Sequence, residues 1–370
     1  MDPICLIHIA PELPPKVGGV ADYTAILSRR LVEVSDGAVE PVLVHAGGQQ
    51  ADAIEVEVPM VDLSGEQSAR RLAEVVQDLA HEAEEDAVVL LEYSGYGYAK
   101  RGAPWWVARG LQRVCGGEEI PLITTFHEIS ASGSVWSSAF WLSPVQSWIA
   151  RRIGRLSSAL MSTHPMGVQT VEACVGNETP VRVSPAFSNV GEPSTNPPWD
   201  DRDCVVLFGG RDEKEELYTR TDQLTSLFDR QEIDRIVDLG PPPDAVPSFD
   251  LPHDILGIQP ADTISQWLGR ARLGLAHRRL DIMTKSGLVA AYLAHGVPLI
   301  VVPHGPATRS PVLEEGDHYL TLDRARAGPV DGRRMSQLGY EWYQRDVHSL
   351  GQARSMCQTI RSSCMSSSAC

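Results

Sequence analysis

The sequence predicts an α/β protein of two doubly wound lobes, each built on a parallel sheet. Three observations predict it. Short apolar runs alternate with longer helical segments along nearly the whole chain. The alternation breaks once, at the stretch SNVGEPSTNPPWDDR over 188–202, whose Pro, Ser, Asn and Asp content has the chemistry of an interdomain linker. The chain is 370 residues long, room for two domains at roughly 150 residues each.

In the first lobe the apolar runs place strands at 4–10, 41–46, 87–93, 121–127, 159–163 and 180–184, with helices at 21–34, 66–84, 105–114, 144–156 and 165–174 between them. In the second, strands fall at 204–209, 235–239, 254–257, 273–276 and 299–302, with helices at 221–229, 263–270 and 286–295. The remainder reads as helical and then decays into SSCMSSSAC, so 361–370 is expected to be a disordered tail. The expected domains are 1–190 and 203–330, followed by helices over 331–360. No repeat recurs at solenoid spacing.

Composition excludes several classes. Hydrophobic residues at 43% and charged residues at 22% are ordinary for a globular protein and exclude a disordered chain. A net charge of −16 argues against a general nucleic-acid binder, while leaving room for a local basic pocket. Seven cysteines without a CxxC pair indicate a reducing compartment and no disulfide framework. The first apolar run is too short for a signal peptide, and no run approaches the ~20 residues of a membrane-crossing helix. A cytoplasmic location is therefore expected.

Doubly wound sheets bind ligands at the carboxyl ends of their strands. The first strand ends in PELPPKVGGVADY, where Gly18 and Gly19 let the backbone approach an anion at a helix start, or simply make a tight turn. Lys16 is the nearby cation, more simply read as solvated. TTFHE ends the fourth expected strand, and the pair His127 and Glu128 is suited to holding sugar hydroxyls or moving a proton; a structural histidine is the plainer alternative. VVLFGGRDEK opens the second lobe. There Arg211 follows two glycines and can fork onto a diphosphate, or pair with a neighbouring acid; Lys214 lies in a mixed charge run. In DIMTKSGLVAAYLAHGVP, Thr284 or Ser286 caps a helix that Gly296 ends. Lys285 beside the helix start at Ser286 and Gly287 makes a phosphate seat, or the segment is a capped core helix. Finally, Arg151, Arg152 and Arg155 follow Trp136, Trp141 and Trp148, a pattern shared by membrane-surface helices and helices packed on their own lobe. No HExxH occurs, so no zinc site is expected.

PELPPKVGGVADYT, LLEYSGYGYAKRGAPWW, TTFHE, FWLSPVQSWIARRIGRL, SPAFSNVGEP and KSGLVAAYLAHGVPLIV together resemble retaining glycosyltransferases of the group 1 or family 4 type, in the branch of bacterial exopolysaccharide and lipopolysaccharide biosynthesis. The resemblance runs from about Ile4 to Pro303. It implies the GT-B fold, two Rossmann-like lobes facing across a cleft, with the acceptor lobe first and the donor lobe second. It implies a metal-independent enzyme with no cofactor, moving a sugar from a nucleotide-sugar donor to a carbohydrate or lipid-linked acceptor, with peripheral contact at the inner membrane face. It places Gly18 and Gly19 near the donor diphosphate, His127 on the transferred sugar and Arg211 on the leaving diphosphate. Lys214 is three positions on, where the family's second basic residue lies about five on. The resemblance also implies that C-terminal helices cross back to the first lobe, and 340–354, with Trp342 and Tyr343, is the expected segment.

One departure matters. Many members carry Glu-x7-Glu across the helix ending in A-x-G-x-P, and those positions here are Met283 and Ala291. Asp281, Lys285 and Ser286 lie nearby instead. Two alternatives follow: a catalytically weak pseudo-enzyme that binds nucleotide or a partner protein, and a nucleotide-sugar epimerase on the same fold.

Overall fold

A computed structural model describes residues 3–16, 18–48, 53–83, 86–117, 120–129, 138–176 and 179–367, with side chains described outside 138–142 and 366–367. The chain divides into two compact units. Unit 1 comprises residues 1–185 and 349–370, and unit 2 comprises 186–348.

In unit 1 the elements run β1 (Ile4–Ala10), α1 (Gly19–Ser35), β2 (Val39–His45), β3 (Met60–Asp62), α2 (Ala69–Glu82), β4 (Ala87–Ser94), α3 (Gly95–Tyr98), α4 (Trp105–Cys115), β5 (Leu122–Glu128), α5 (Ser138–Leu156), β6 (Ser157–Ser162), α6 (Pro165–Val175) and β7 (Val181–Val183). The strands form one parallel sheet in the order β3-β2-β1-β4-β5-β6-β7. Because side chains alternate across a strand, the two faces separate cleanly. Ile7, Ile9, Val89, Leu91, Tyr93 and Phe126 join the apolar core with Leu72 of α2, Val107 of α4, Ile149 of α5 and Val171 of α6. The alternate residues His8, Glu92 and His127 leave that core.

In unit 2 the order is β8 (Cys204–Phe208), α7 (Arg211–Tyr218), α8 (Thr221–Arg230), β9 (Arg235–Leu239), β10 (His253–Gly257), α9 (Ala261–Arg270), β11 (Ala271–Arg278), α10 (Gly287–Ala294), β12 (Leu299–Pro303), β13 (Tyr319–Thr321), α11 (Leu322–Ala327) and α12 (Gly332–Asp346), with 3-10 turns at Trp199–Asp201 and Leu280–Lys285. Its parallel sheet runs β10-β9-β8-β11-β12-β13. In both sheets the first strand of the unit lies beside the fourth, so the chain order reverses there. The crevice at such a switch point is where doubly wound sheets hold ligands.

α10 shows how local chemistry sets an element. Ser286 caps it, its hydroxyl accepting from the Val289 N–H at 3.3 Å. At the other end Gly296 takes a left-handed φ of 58°, the Gly296 N–H reaches Leu293 O and the Val297 N–H reaches Tyr292 O, which closes the helix in a Schellman motif. Every residue of α10 after Gly287 is buried.

Three expectations are corrected. The stretch 188–202 is not a free linker, because it is tied down on unit 2. The Arg202 guanidinium is buried and donates to Ala271 O at 2.7 Å and His295 O at 2.8 Å, and burial lowers its pKa to about 10. Tyr343 Oη accepts from the Ser188 N–H at 2.9 Å and donates to Glu192 at 2.5 Å. The boundary falls at Pro185 instead. The segment returning to unit 1 starts at Ser349, while Trp342 and Tyr343, on α12, belong to unit 2. The Ser-rich end expected to be disordered from 361 is helical through Ser367, in α13 (Ser349–Ser367). Its buried residues Ala353, Met356, Cys357, Ile360 and Cys364 recur at helical spacing, and α13 packs on α1. Cys5, Cys115, Cys174, Cys204 and Cys357 are free thiols.

Candidate functional site

In unit 1 the carboxyl ends of β4 and β5 carry a buried polar group. Glu92 sits between two imidazoles, with His8 Nε2 at 3.0 Å from one carboxylate oxygen and His127 Nε2 at 2.7 Å from the other. His8 Nδ1 lies 2.8 Å from Ser28 Oγ on α1. Glu92 and His8 are fully buried. Burial alone would raise the Glu92 pKa, but the hydrogen bonds from His127 and His8 and their charge outweigh it and hold it at about 2. Glu92 is therefore an acceptor-only carboxylate, so each facing Nε2 carries the proton it donates. That fixes the His127 tautomer and leaves Nδ1 as its other polar atom. Tyr23 packs edge-on against the His127 ring at 5.3 Å. Burial first, and the Glu92 charge second, push the Tyr23 hydroxyl up, so it stays protonated.

His127 stands near the end of its strand as expected, but its partner is not Glu128. Adjacent residues point to opposite faces of a strand, and Glu128 is exposed. Glu92 and His8 went unnoticed in the sequence, although a charge or imidazole inside an apolar strand (AVVLLEYS, ICLIHIA) is the signal that finds them.

Gly18 and Gly19 stand at the start of α1. A Cβ on Gly18 would lie 3.1 Å from the Glu12 carboxylate, whereas one on Gly19 would meet nothing within 4 Å. Glu12 also takes Lys16 at 2.6 Å. Val17 lies outside the described residues.

In unit 2, β8 ends at Gly209 and Gly210, and α7 begins at Arg211. Arg211 is half-exposed and pairs with Asp244. Beside it, at the end of β11, stands Arg278, which the sequence reading missed. Its Nε lies 3.3 Å from Ser286 Oγ at the cap of α10, and its guanidinium pairs with Glu213 of α7. Burial lowers its pKa. The switch point thus holds Arg211, Arg278, a glycine pair and the starts of two helices. His277 and His304 stack at 4.3 Å on the same edge, and burial lowers both pKa values. Tyr292 of α10 holds the two central strands together. Its hydroxyl accepts from the Phe208 N–H at 2.9 Å and lies 3.0 Å from Val206 O and 3.1 Å from Leu275 O.

Lys285 ends the 3-10 turn before α10, and Ser286 and Gly287 open the helix. Lys214 requires a correction. Its side chain is 1% exposed and its ammonium is paired with Asp238, which also accepts from Tyr218 Oη at 2.5 Å. Lys214 Nζ donates as well to Gly240 O at 3.1 Å. This cation braces α7 against the end of β9 and is not presented to a ligand. Met283 and Ala291, the positions of the missing glutamates, are buried apolar side chains.

No family model matches the chain, and no curated protein matches it. Solved structures do. Two parallel-sheet α/β units in one chain define the GT-B class of fold, and this chain has it. The particular proteins it resembles include an α,α-trehalose 6-phosphate synthase from Burkholderia multivorans, with a TM-score of 0.62 and 11% identity over 100% of both chains. A structure from E. coli, described as trehalose-6-phosphate bound with UDP-2-fluoro glucose, gives 0.61 and 10% identity over 96% of this chain and 98% of that one. TarM gives 0.60 and 6% identity over 96% and 98%. Likeness at such identities is likeness of fold.

Proposed function

We propose that the protein is a glycosyltransferase that takes a sugar from a nucleotide-diphosphate donor and passes it to a carbohydrate or lipid-linked acceptor, retaining the anomeric configuration without a metal. One observation carries this reading: the switch point of unit 2 gathers Arg211 and Arg278 beside a Gly-Gly turn and the capped start of α10. A departing nucleoside diphosphate gains negative charge in the transition state, and fixed cations and helix N-termini are what stabilise it. Both arginines rest on carboxylates, Asp244 and Glu213, which a diphosphate would replace as the acceptor of their forks. Lys285 belongs to the same seat. In unit 1, His127 is the group offered to sugar hydroxyls, with Glu92 and His8 positioning it and Gly18 and Gly19 opening the backbone at α1.

The experiment is calorimetric titration of a panel of nucleotide sugars into wild type, Arg211→Ala and Arg278→Ala. Charge-assisted hydrogen bonds contribute about 1.5–3 kcal/mol, so each substitution is expected to weaken the bound donor roughly ten- to a hundredfold. Undiminished binding in both variants would remove the donor seat from this position. Saturable nucleotide binding without turnover on any acceptor would favour the pseudo-enzyme reading, which the buried Met283 and Ala291 motivate.

A further inference from the structure

Unit 2 has a second cleft, at the opposite end of its sheet from the switch point. It encloses about 780 Å³, and Asn196, Trp199, Asp317, Arg333, Arg334 and Gln337 are among the residues that line it. Its walls come from the turn at Trp199–Asp201 that precedes β8, from the approach to β13 and from the first turns of α12. These are the amino ends of the strands, whereas Arg211 and Arg278 stand at the carboxyl ends. β8 has five residues, so at about 3.3 Å per residue the two places lie roughly 16 Å apart.

The cleft is preformed. The buried Arg202 fixes one wall, its Nη2 donating to Asn196 Oδ1 and to Pro197 O, each at 3.3 Å. The other end of the Asn196 amide then faces α12, 3.3 Å from Ser336 Oγ and 3.4 Å from Gln337 Oε1. Gly332 lets the Trp199 indole lie against the start of α12, because a Cβ there would run into its ring. Each arginine of the lining is matched by an acid, Arg333 by Asp200 at 2.6 Å and Arg334 by Asp317 at 2.7 Å. Both arginines are exposed, and exposed ion pairs contribute little to folding. What the pairs do is cancel the charge of the cleft while keeping guanidinium and carboxylate edges on its surface.

We infer that this cleft binds a neutral oligosaccharide, separately from the donor seat. A hydroxyl both donates and accepts, and a lining of amides and paired guanidinium and carboxylate groups offers both roles in close succession. Trp199, with Pro197 and Pro198 beside it, supplies apolar surface for the C–H faces of sugar rings. Sites of roughly 300–1,000 Å³ hold drug-sized ligands, so this one has room for more than one sugar ring. The charge balance disfavours a phosphate or nucleotide, since each lining arginine already has its carboxylate and Asp331 adds a further negative charge. A lining this polar also has too little apolar surface for an amphipathic helix or an acyl chain. The inference goes beyond the transfer reading, since it needs neither a donor nor turnover.

A glycan array tests it, carrying neutral oligosaccharides of glucose, mannose, galactose and N-acetylglucosamine, with sialylated and sulfated glycans as anionic controls. The full chain is applied, and each retained glycan is titrated by calorimetry into wild type, Gln337→Ala, Arg333→Ala and Arg211→Ala. Gln337 and Arg333 are exposed, so their variants are expected to fold, which circular dichroism checks. Wild type is expected to retain a neutral oligosaccharide. Gln337→Ala and Arg333→Ala are each expected to weaken it roughly three- to tenfold, the effect of one lost hydrogen bond. Arg211→Ala should bind the glycan like wild type, and Gln337→Ala should bind nucleotide sugars like wild type. Failure of folded wild type to retain any neutral glycan would overturn the inference. Glycan binding that Arg211→Ala abolishes and the two cleft variants leave intact would overturn it too, by moving the ligand to the donor seat. So would a preference for the anionic glycans, or displacement of the glycan by inorganic phosphate.

Discussion

Glu92 shows what one side chain fixes. A carboxylate removed from water is costly unless hydrogen bonds and opposite charge compensate it, and here two imidazoles do. In Glu92→Gln the neutral amide still fills the space, but its NH2 end can no longer accept from both Nε2–H groups, so one imidazole must change tautomer or lose its partner. Nitrogen-detected imidazole NMR is expected to show Nε2–H on both His8 and His127 in wild type and an altered pattern in the variant. Glu92→Asp should restore the carboxylate and, in part, the pattern. An unchanged spectrum would mean that Glu92 does not set the tautomer of His127. The same group has a sign in pH. Its pKa is depressed from 4.5 to about 2, so its contribution to stability is fully present above pH 4.5 and is lost as pH falls toward 2. The stability advantage of wild type over Glu92→Gln in urea is therefore expected to shrink across that window; an advantage that grows with acid would contradict the depressed value.

At the scale of elements, the contact of β8, β11 and α10 shapes the switch point of unit 2. Gly274 of β11 is there to admit the Tyr292 ring, for a Cβ at that position would lie 2.4 Å from it. Gly274→Ala is expected to push Tyr292 off its three backbone partners and to cost about 1–3 kcal/mol, the usual range for overpacking a core. A urea midpoint within error of wild type would show that the ring can move freely. The periodic patterns of β8, β11 and α10 were legible because each is a run of apolar residues with recognisable ends. β3 and β13, at three residues each, were not, because so short a strand has no period of its own; β7 is as short and was expected only as part of the longer run 180–184. α7 (RDEKEELY) was read as a charge run, because only the core of unit 2 distinguishes its buried Leu217 and Tyr218 from solvated positions.

At the scale of the molecule, the sequence by itself determined the α/β class, the two series of parallel strands, and the stations at their carboxyl ends. Those follow from hydrophobic period and from glycine and capping chemistry, which act over a few residues. Only the tertiary structure decided which residues meet. Glu92 rather than Glu128 became the partner of His127, because strand alternation and the β4–β5 pairing place the former beside it. Lys214 was drawn into an internal ion pair, and Arg278, far from Arg211 in sequence, was brought to the same sheet edge by the reversal of strand order. The Ser-rich end likewise became a packed helix, because its small apolar and thiol side chains form a stripe whose value appears only against α1. Each of these rests on contacts between positions tens to hundreds of residues apart, and no local pattern in a single sequence records which of many distant candidates will be adjacent.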